Sequence, residues 1–161
     1  MSSGELANIA IGVVVVVLLV ARQLQARPVR ETSGLRIAGI LGVIGVIEIV
    51  DASRGHNLSA TTVAWVFASL VVGGGLGAVR AMTVKIRRSQ DGIAWRKGTM
   101  ATGVLWVVSL AAHLALEVGI NDSTKIEGFG ASTLLLYLAV TLGTQREVVR
   151  WRAQALGSGW V

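Results

Sequence analysis

Residues 60–99 read ATTVAWVFASLVVGGGLGAVRAMTVKIRRSQDGIAWRKGT, and one change of character inside that stretch decides the fold. Its first half, Ala60–Val79, is an uncharged run of 20 residues. That is the length at which an α-helix crosses a bilayer, at about 1.5 Å per residue. Its second half, Arg80–Thr99, carries Arg80, Lys85, Arg87, Arg88, Arg96 and Lys97. A span followed by a basic loop is a unit that recurs at every second span of the chain.

Outward from this stretch the unit repeats. Leu6–Val20, Leu35–Val50, Met100–Ile120 and Phe129–Leu142 are the other apolar runs. They predict an all-α fold, a polytopic membrane bundle of about five helices over residues 5–22, 35–52, 60–80, 99–120 and 128–146. Residues 1–161 then form a single integral membrane domain. In hydrocarbon the backbone must satisfy its own hydrogen bonds, so even the Val-, Ile- and Gly-rich runs are expected to be helical. The second and fifth runs are short and must borrow polar neighbours to reach a full span.

The basic residues alternate between gaps. Of 15 Lys and Arg, Arg22, Arg27, Arg30 and Arg36 fill the first gap, and six fill the 80–99 loop. Arg146, Arg150 and Arg152 lie in the tail, which leaves only Arg54 and Lys125 elsewhere. Basic residues near spans resist translocation, so this bias predicts an N-terminus outside and a C-terminus in the cytoplasm. Glu5, Asp51, Asp122 and Glu127 fall on the outer side. The segment before the first run has no Lys or Arg, the reverse of a secretory signal, so the run reads as a retained helix.

Composition agrees. The apolar fraction is 53%, the mean hydropathy is +0.66, and the formal charge is +6 with a pI near 11.1. The charges flank apolar spans, so the expected partner is a bilayer with an anionic cytoplasmic leaflet and not nucleic acid. A membrane-protein partner or a second copy of the chain stays open. The absence of cysteine excludes disulfides and thiolate metal sites.

Within the 80–99 loop, Asp91-Gly92 is a turn pair of the kind that closes two-residue hairpins. It predicts a cytoplasmic β-hairpin over about 83–97. Gln90 would then face Ile93, Arg88 would face Trp95, and Ile86 would face Lys97. Ile86, Ile93 and Trp95 would share one face, with Lys85, Arg87 and Arg96 on the other. Lys85, Arg87, Arg88, Arg96 and Lys97 are a candidate lipid or partner surface. Pro28, in the first basic loop, is expected to keep the chain extended.

Few residues suggest chemistry. Glu48 lies about 20 Å along the second predicted helix from Leu35, where a charge is costly in lipid. It is either a functional carboxylate or a residue near the outer headgroups. Ser109, His113 and Glu117 recur at i, i+4 and i+8 on one helix face. With Glu48 they form a candidate intramembrane polar site, in which a Glu48–His113 contact would relay a proton or simply join two helices. No cofactor is predicted, and haem or metal held by His56 and His113 is the weakest reading. Gly39, Gly42, Gly45, Gly73 and Gly77 are expected at helix contacts, where small residues let backbones approach. Trp65, Trp106, Trp151 and Trp160 read as interface anchors. Tyr137 is expected to hydrogen-bond within the bundle. No catalytic constellation is present, so the chain is not read as an enzyme.

The stretch Gly77-Ala78-Val79-Arg80-Ala81-Met82-Thr83-Val84-Lys85-Ile86-Arg87, then Asp91-Gly92-Ile93-Ala94-Trp95-Arg96-Lys97, resembles the CcdC-like (DUF1453) family of small bacterial membrane proteins. The apolar helix that follows, and a last helix running into Gln145-Arg146, continue the resemblance over the second half. It implies a multi-pass architecture in the bacterial cytoplasmic membrane and a weak link to cytochrome c maturation, with no catalytic residues to transfer. Without cysteines the chain could assist such a pathway only as an accessory. The expected function is therefore a non-enzymatic accessory or scaffold protein. The alternative is a small proton-coupled transporter or channel subunit using Glu48 and His113.

Overall fold

The computed structural model describes residues 21, 25–28, 33–89, 93–124, 126 and 129–156. Apart from Ala21, the first predicted helix (5–22) lies outside the described residues, as do the Asp91-Gly92 turn itself, Arg22, Arg30, Lys125, Glu127 and Trp160. The elements in chain order are β1 (Arg27–Pro28), α1 (Ser33–Ala52), α2 (Ala60–Thr83), β2 (Lys85–Arg88), β3 (Ala94–Lys97), α3 (Met100–Thr124), α4 (Phe129–Ser132) and α5 (Leu134–Ala155). The chain is mostly helical. α2 and α3 are long and apolar enough to cross a membrane.

Local hydrogen bonds mark several of the helix ends. Ser59 caps α2, its hydroxyl accepting from the Thr62 N–H at 3.1 Å, which satisfies one of the amides that a first turn leaves bare. Thr99 and Thr102 bond reciprocally at the start of α3: the Thr99 N–H donates to Thr102 Oγ1 at 3.0 Å and the Thr102 N–H to Thr99 Oγ1 at 3.4 Å. Thr133 joins α4 to α5, its hydroxyl donating to the Gly130 carbonyl at 2.7 Å. The fifth predicted helix thus begins as two segments. It also runs to Ala155, well past the expected end at 146, because the basic tail keeps helical propensity once the apolar stretch is over.

α5 is the centre of the packing, against both α1 and α2, while α3 packs on α2 and meets α5 through Tyr137. Close approach is set by glycine. A Cβ at Gly45 would meet Leu136 N at 2.5 Å, and one at Gly73 would meet the Tyr137 ring at 2.7 Å. At Gly77 it would strike the Thr141 carbonyl oxygen. Gly42 makes only ordinary contact, 3.7 Å from the Ala139 methyl. Gly39 departs from expectation: nothing lies within 4 Å of its Cβ position. A three-residue glycine period drifts around a helix of 3.6 residues per turn, so not every member can face the same neighbour.

Burial is inverted relative to a protein stable in water. Ile40, Val43 and Ile47 on α1, Val63, Phe67 and Val71 on α2, and Val104, Val107, Leu114 and Val118 on α3 are all exposed. Beside apolar residues such as Trp106, Ile120, Phe129 and Val149, the buried set holds Thr62, Ser69, Arg80, Thr102, Ser109, His113, Thr133, Thr141 and Gln145. Contiguous apolar surface of this extent is unfavourable against water. Small and hydroxylated residues between helices are what lipid-facing packing selects.

The three strands form one antiparallel sheet in the order β1-β3-β2. Its register corrects the expected hairpin by one residue. Lys85 pairs with Lys97, Ile86 with Arg96, Arg87 with Trp95 and Arg88 with Ala94, and the Ser89 N–H donates to the Ile93 carbonyl at 2.9 Å. Three residues, 90–92, therefore separate the last paired positions. A slip of one position moves every side chain to the other face. Ile86 consequently packs against Ala81, Val84 and Val149, while Trp95 joins Lys85, Arg87 and Lys97 on the exposed face. Pro28 is extended as expected and also sits in a strand, opposite Trp95. It lies on an edge, where its missing N–H is tolerated.

Candidate functional site

Two groups of residues stand apart from simple packing: a line of buried polar side chains between α2, α3 and α5, and the basic sheet at one end of the bundle.

The buried line begins at Arg80, near the end of α2, which is 0% exposed. Its Nε donates to Gln145 Oε1 at 2.9 Å, and its guanidinium carbon lies 4.0 Å from the centre of the Trp106 ring. Nη1 and Nη2 have no hydrogen-bond partner among the described residues. A stacked, desolvated guanidinium gains about 2 kcal/mol from the ring, which offsets part of the cost of burying a charge. This arrangement reverses two expectations. Arg80 is a core residue and not a free loop charge, and Trp106, at 1% exposure, is its platform and not an interface anchor.

Further along α3, Ser109 and His113 are buried together, as their spacing predicts. The Tyr137 hydroxyl donates to the Ser109 carbonyl at 2.7 Å. A phenol has one proton, so the Ser109 hydroxyl, 2.9 Å away, must donate to the Tyr137 oxygen. The His113 ring lies 4.6 Å from the Tyr137 ring, centre to centre. Tyr137 thus joins α5 to α3 with both of its hydrogen-bonding capacities, the role expected of it.

The other predicted members do not join this group. Glu48 is exposed on α1, which packs on α4 and α5. Both His113 ring nitrogens lack a hydrogen-bond partner among the described residues, so the anticipated Glu48–His113 bond is not formed. The physical reason is helix order, since α5 and α2 come between α1 and α3. Glu117 is half-buried, with its Cγ against Gly130 at the start of α4. There the Gly130 N–H donates to Asn121 Oδ1 at 2.7 Å, so this turn of α3 holds the next segment. His56 is exposed between α1 and α2, its Nδ1 3.1 Å from the Arg54 carbonyl. It does not approach the buried His113, and no cluster of three metal-ligating side chains occurs among the described residues.

At the basic end, residues far apart in sequence meet. β1 from the first basic loop pairs with β3, and the hairpin follows directly from α2. From the tail, Arg152 Nη1 donates to the Ala81 and Val84 carbonyls at 2.5 and 3.1 Å. A cation on the last carbonyls of α2 complements the negative end of the helix. Arg80 and Arg152 are therefore structural. Lys85, Arg87, Arg88 and Lys97 remain exposed. A groove of about 700 Å3 runs over this face, lined by Ala26, Lys85, Arg87, Trp95, Arg96, Lys97, Gly98, Thr99 and Met100.

Sequence reasoning missed Arg80, Gln145, Trp106 and the pairing of β1. An arginine at the end of an apolar run, five residues before β2, gives no sign that it folds inward, and a two-residue strand containing proline has no alternation to detect. Comparison with protein-family models, with curated proteins and with solved structures finds no match to this chain.

Proposed function

We propose that this chain is a non-enzymatic accessory protein of the bacterial cytoplasmic membrane. In this reading it crosses the bilayer five times, with the N-terminus outside and the C-terminus inside, and holds a basic sheet at the inner surface for a membrane-protein partner. The observation that carries it is the convergence of the three basic segments, from residues 25–28, 80–97 and 146–155, on one end of the helices. The positive-inside bias of the sequence becomes a single assembled surface. The inverted burial supports a lipid surrounding for the helices, and the resemblance to the CcdC-like family supports the bacterial setting. Proton coupling through a Glu48–His113 pair has no geometric support, because the two side chains are not bonded.

The test is co-purification. Neutralising Arg87, Arg88 and Arg96 to glutamine is expected to release a membrane partner that the parent chain retains, while insertion and helical content stay unchanged. Retention of the partner by that variant would count against the reading.

A further inference from the structure

The exposed face of the sheet holds an electrostatic conflict. Lys85 and Lys97 are directly opposed across β2 and β3, and like charges in that position destabilise a sheet. Arg87 lies on the same face, two positions along from Lys85. None of these three has a carboxylate partner among the described residues, where the ion pairs are Arg54–Asp51 and Arg150–Glu147. Among the described residues, the groove they line contains no acidic residue. A fold that keeps unopposed cations around a cavity is one whose charge balance is completed from outside.

The position of the groove identifies what completes it. Gly98 and Thr99 lead from it straight into α3, and Met100, the first residue of that helix, is 78% exposed and lines the same groove. Trp95, opposite Arg87, is 41% exposed. Along β3 the groove runs from Trp95 and Arg87, past the opposed Lys85 and Lys97, to Met100 at the start of a helix long enough to cross a membrane. Cations set directly before an exposed apolar side chain at the head of such a helix match a phospholipid, whose phosphate lies outside its acyl chains. Basic pockets beside spans bind anionic headgroups.

We infer that this groove is a defined binding site for one anionic phospholipid, its phosphodiester held by Lys85, Arg87 and Lys97 and its apolar end directed to Met100. The inference rests on the orientation proposed above, which cysteine labelling reads independently, so failure of one is distinguishable from failure of the other.

The full chain, purified in detergent and stripped of lipid, is titrated with short-chain phosphatidylglycerol, short-chain phosphatidylcholine and inorganic phosphate. Binding is followed by thermal stability and native mass spectrometry. Phosphatidylglycerol is expected to add one molecule per chain and raise the melting temperature, with the other two far weaker. The variant Lys85→Gln/Lys97→Gln should be at least as stable as the parent without lipid, because the opposed pair is gone. It should nevertheless bind phosphatidylglycerol on the order of tenfold more weakly. Arg36→Gln/Arg150→Gln removes equal charge outside the groove and should keep the parent affinity within about twofold. If the double lysine variant does not fold, Lys97→Gln alone replaces it. Equal binding of phosphatidylcholine or of inorganic phosphate would overturn the lipid assignment. An equal loss in the two charge-matched variants would replace a site by a diffuse surface and overturn it as well.

Discussion

Arg80 is a permanent charge with one hydrogen bond, one aromatic face and no carboxylate partner among the described residues. This makes the two ends of the Arg80–Gln145 contact unequal. Removing the acceptor leaves the ion buried with less to offset its desolvation, whereas removing the ion also removes the cost. Gln145→Leu is therefore expected to destabilise the fold by about 2–3 kcal/mol. Arg80→Met, of similar length and apolar, should cost less than about 1.5 kcal/mol or even stabilise. Unfolding in mixed micelles checks the order, and a larger loss from Arg80→Met contradicts it. This residue also shows where the sequence stops being informative. A basic residue at the end of an apolar run looks the same whether its stem reaches outward to headgroups or its head folds onto a tryptophan. Only the neighbouring helix decides, and Gln145 is 65 positions away.

At the scale of elements, the junction between α2 and α3 depends on three hydroxyls. The Thr83 hydroxyl donates to the Arg80 carbonyl at 2.8 Å, so the Thr102 hydroxyl, 2.8 Å from it, must be the donor between them. Thr99 donates to the Thr83 carbonyl at 3.1 Å, and Thr102 accepts the Thr99 N–H. Thr102→Val keeps the shape and removes both links, at an expected cost of about 1–2 kcal/mol. Thr83→Val should be non-additive with it by roughly 0.5–1 kcal/mol, since the pair shares one bond. Additive losses in a double-mutant cycle would show that the hydroxyls act separately. The starts of α2 and α3 were legible because the onset of an apolar run is a local signal, whereas their ends, Thr83 and Thr124, fall three and four residues past the expected 80 and 120. The existence of the hairpin was legible from Asp91-Gly92. Its register was not, because the choice between two and three residues in the turn is made by Ile86 finding Ala81, Val84 and Val149. The same holds for β1, whose two residues acquire a strand partner only when the first loop meets β3. Ser109 and His113 could be read as one buried face from their spacing. That Tyr137 and not Glu48 would lie beside them depended on the order in which the helices pack.

For the whole molecule, the decisive quantity is which end faces which compartment, and the chain is unusually suited to asking it. It has no cysteine, so a single introduced thiol reports one position without background. Asn57 is exposed in the loop between α1 and α2, and Arg88 is exposed at the end of β2, so the two sit at opposite ends of α2. With basic residues retained inside, Asn57→Cys should react with a membrane-impermeant maleimide on intact cells and Arg88→Cys should not. In inside-out vesicles the two should exchange. Ala26→Cys adds a test of the assembly itself. Ala26 precedes β1, and its loop is tied to the hairpin through the pairing of Arg27 with Arg96 and Pro28 with Trp95. It must therefore label from the same side as Arg88→Cys, whichever side that is. Labelling of Arg88→Cys from outside would reverse the orientation and leave the sheet intact. Labelling of Ala26→Cys and Arg88→Cys from opposite sides would exclude the sheet, and with it the convergence of basic segments from which the proposed function is argued.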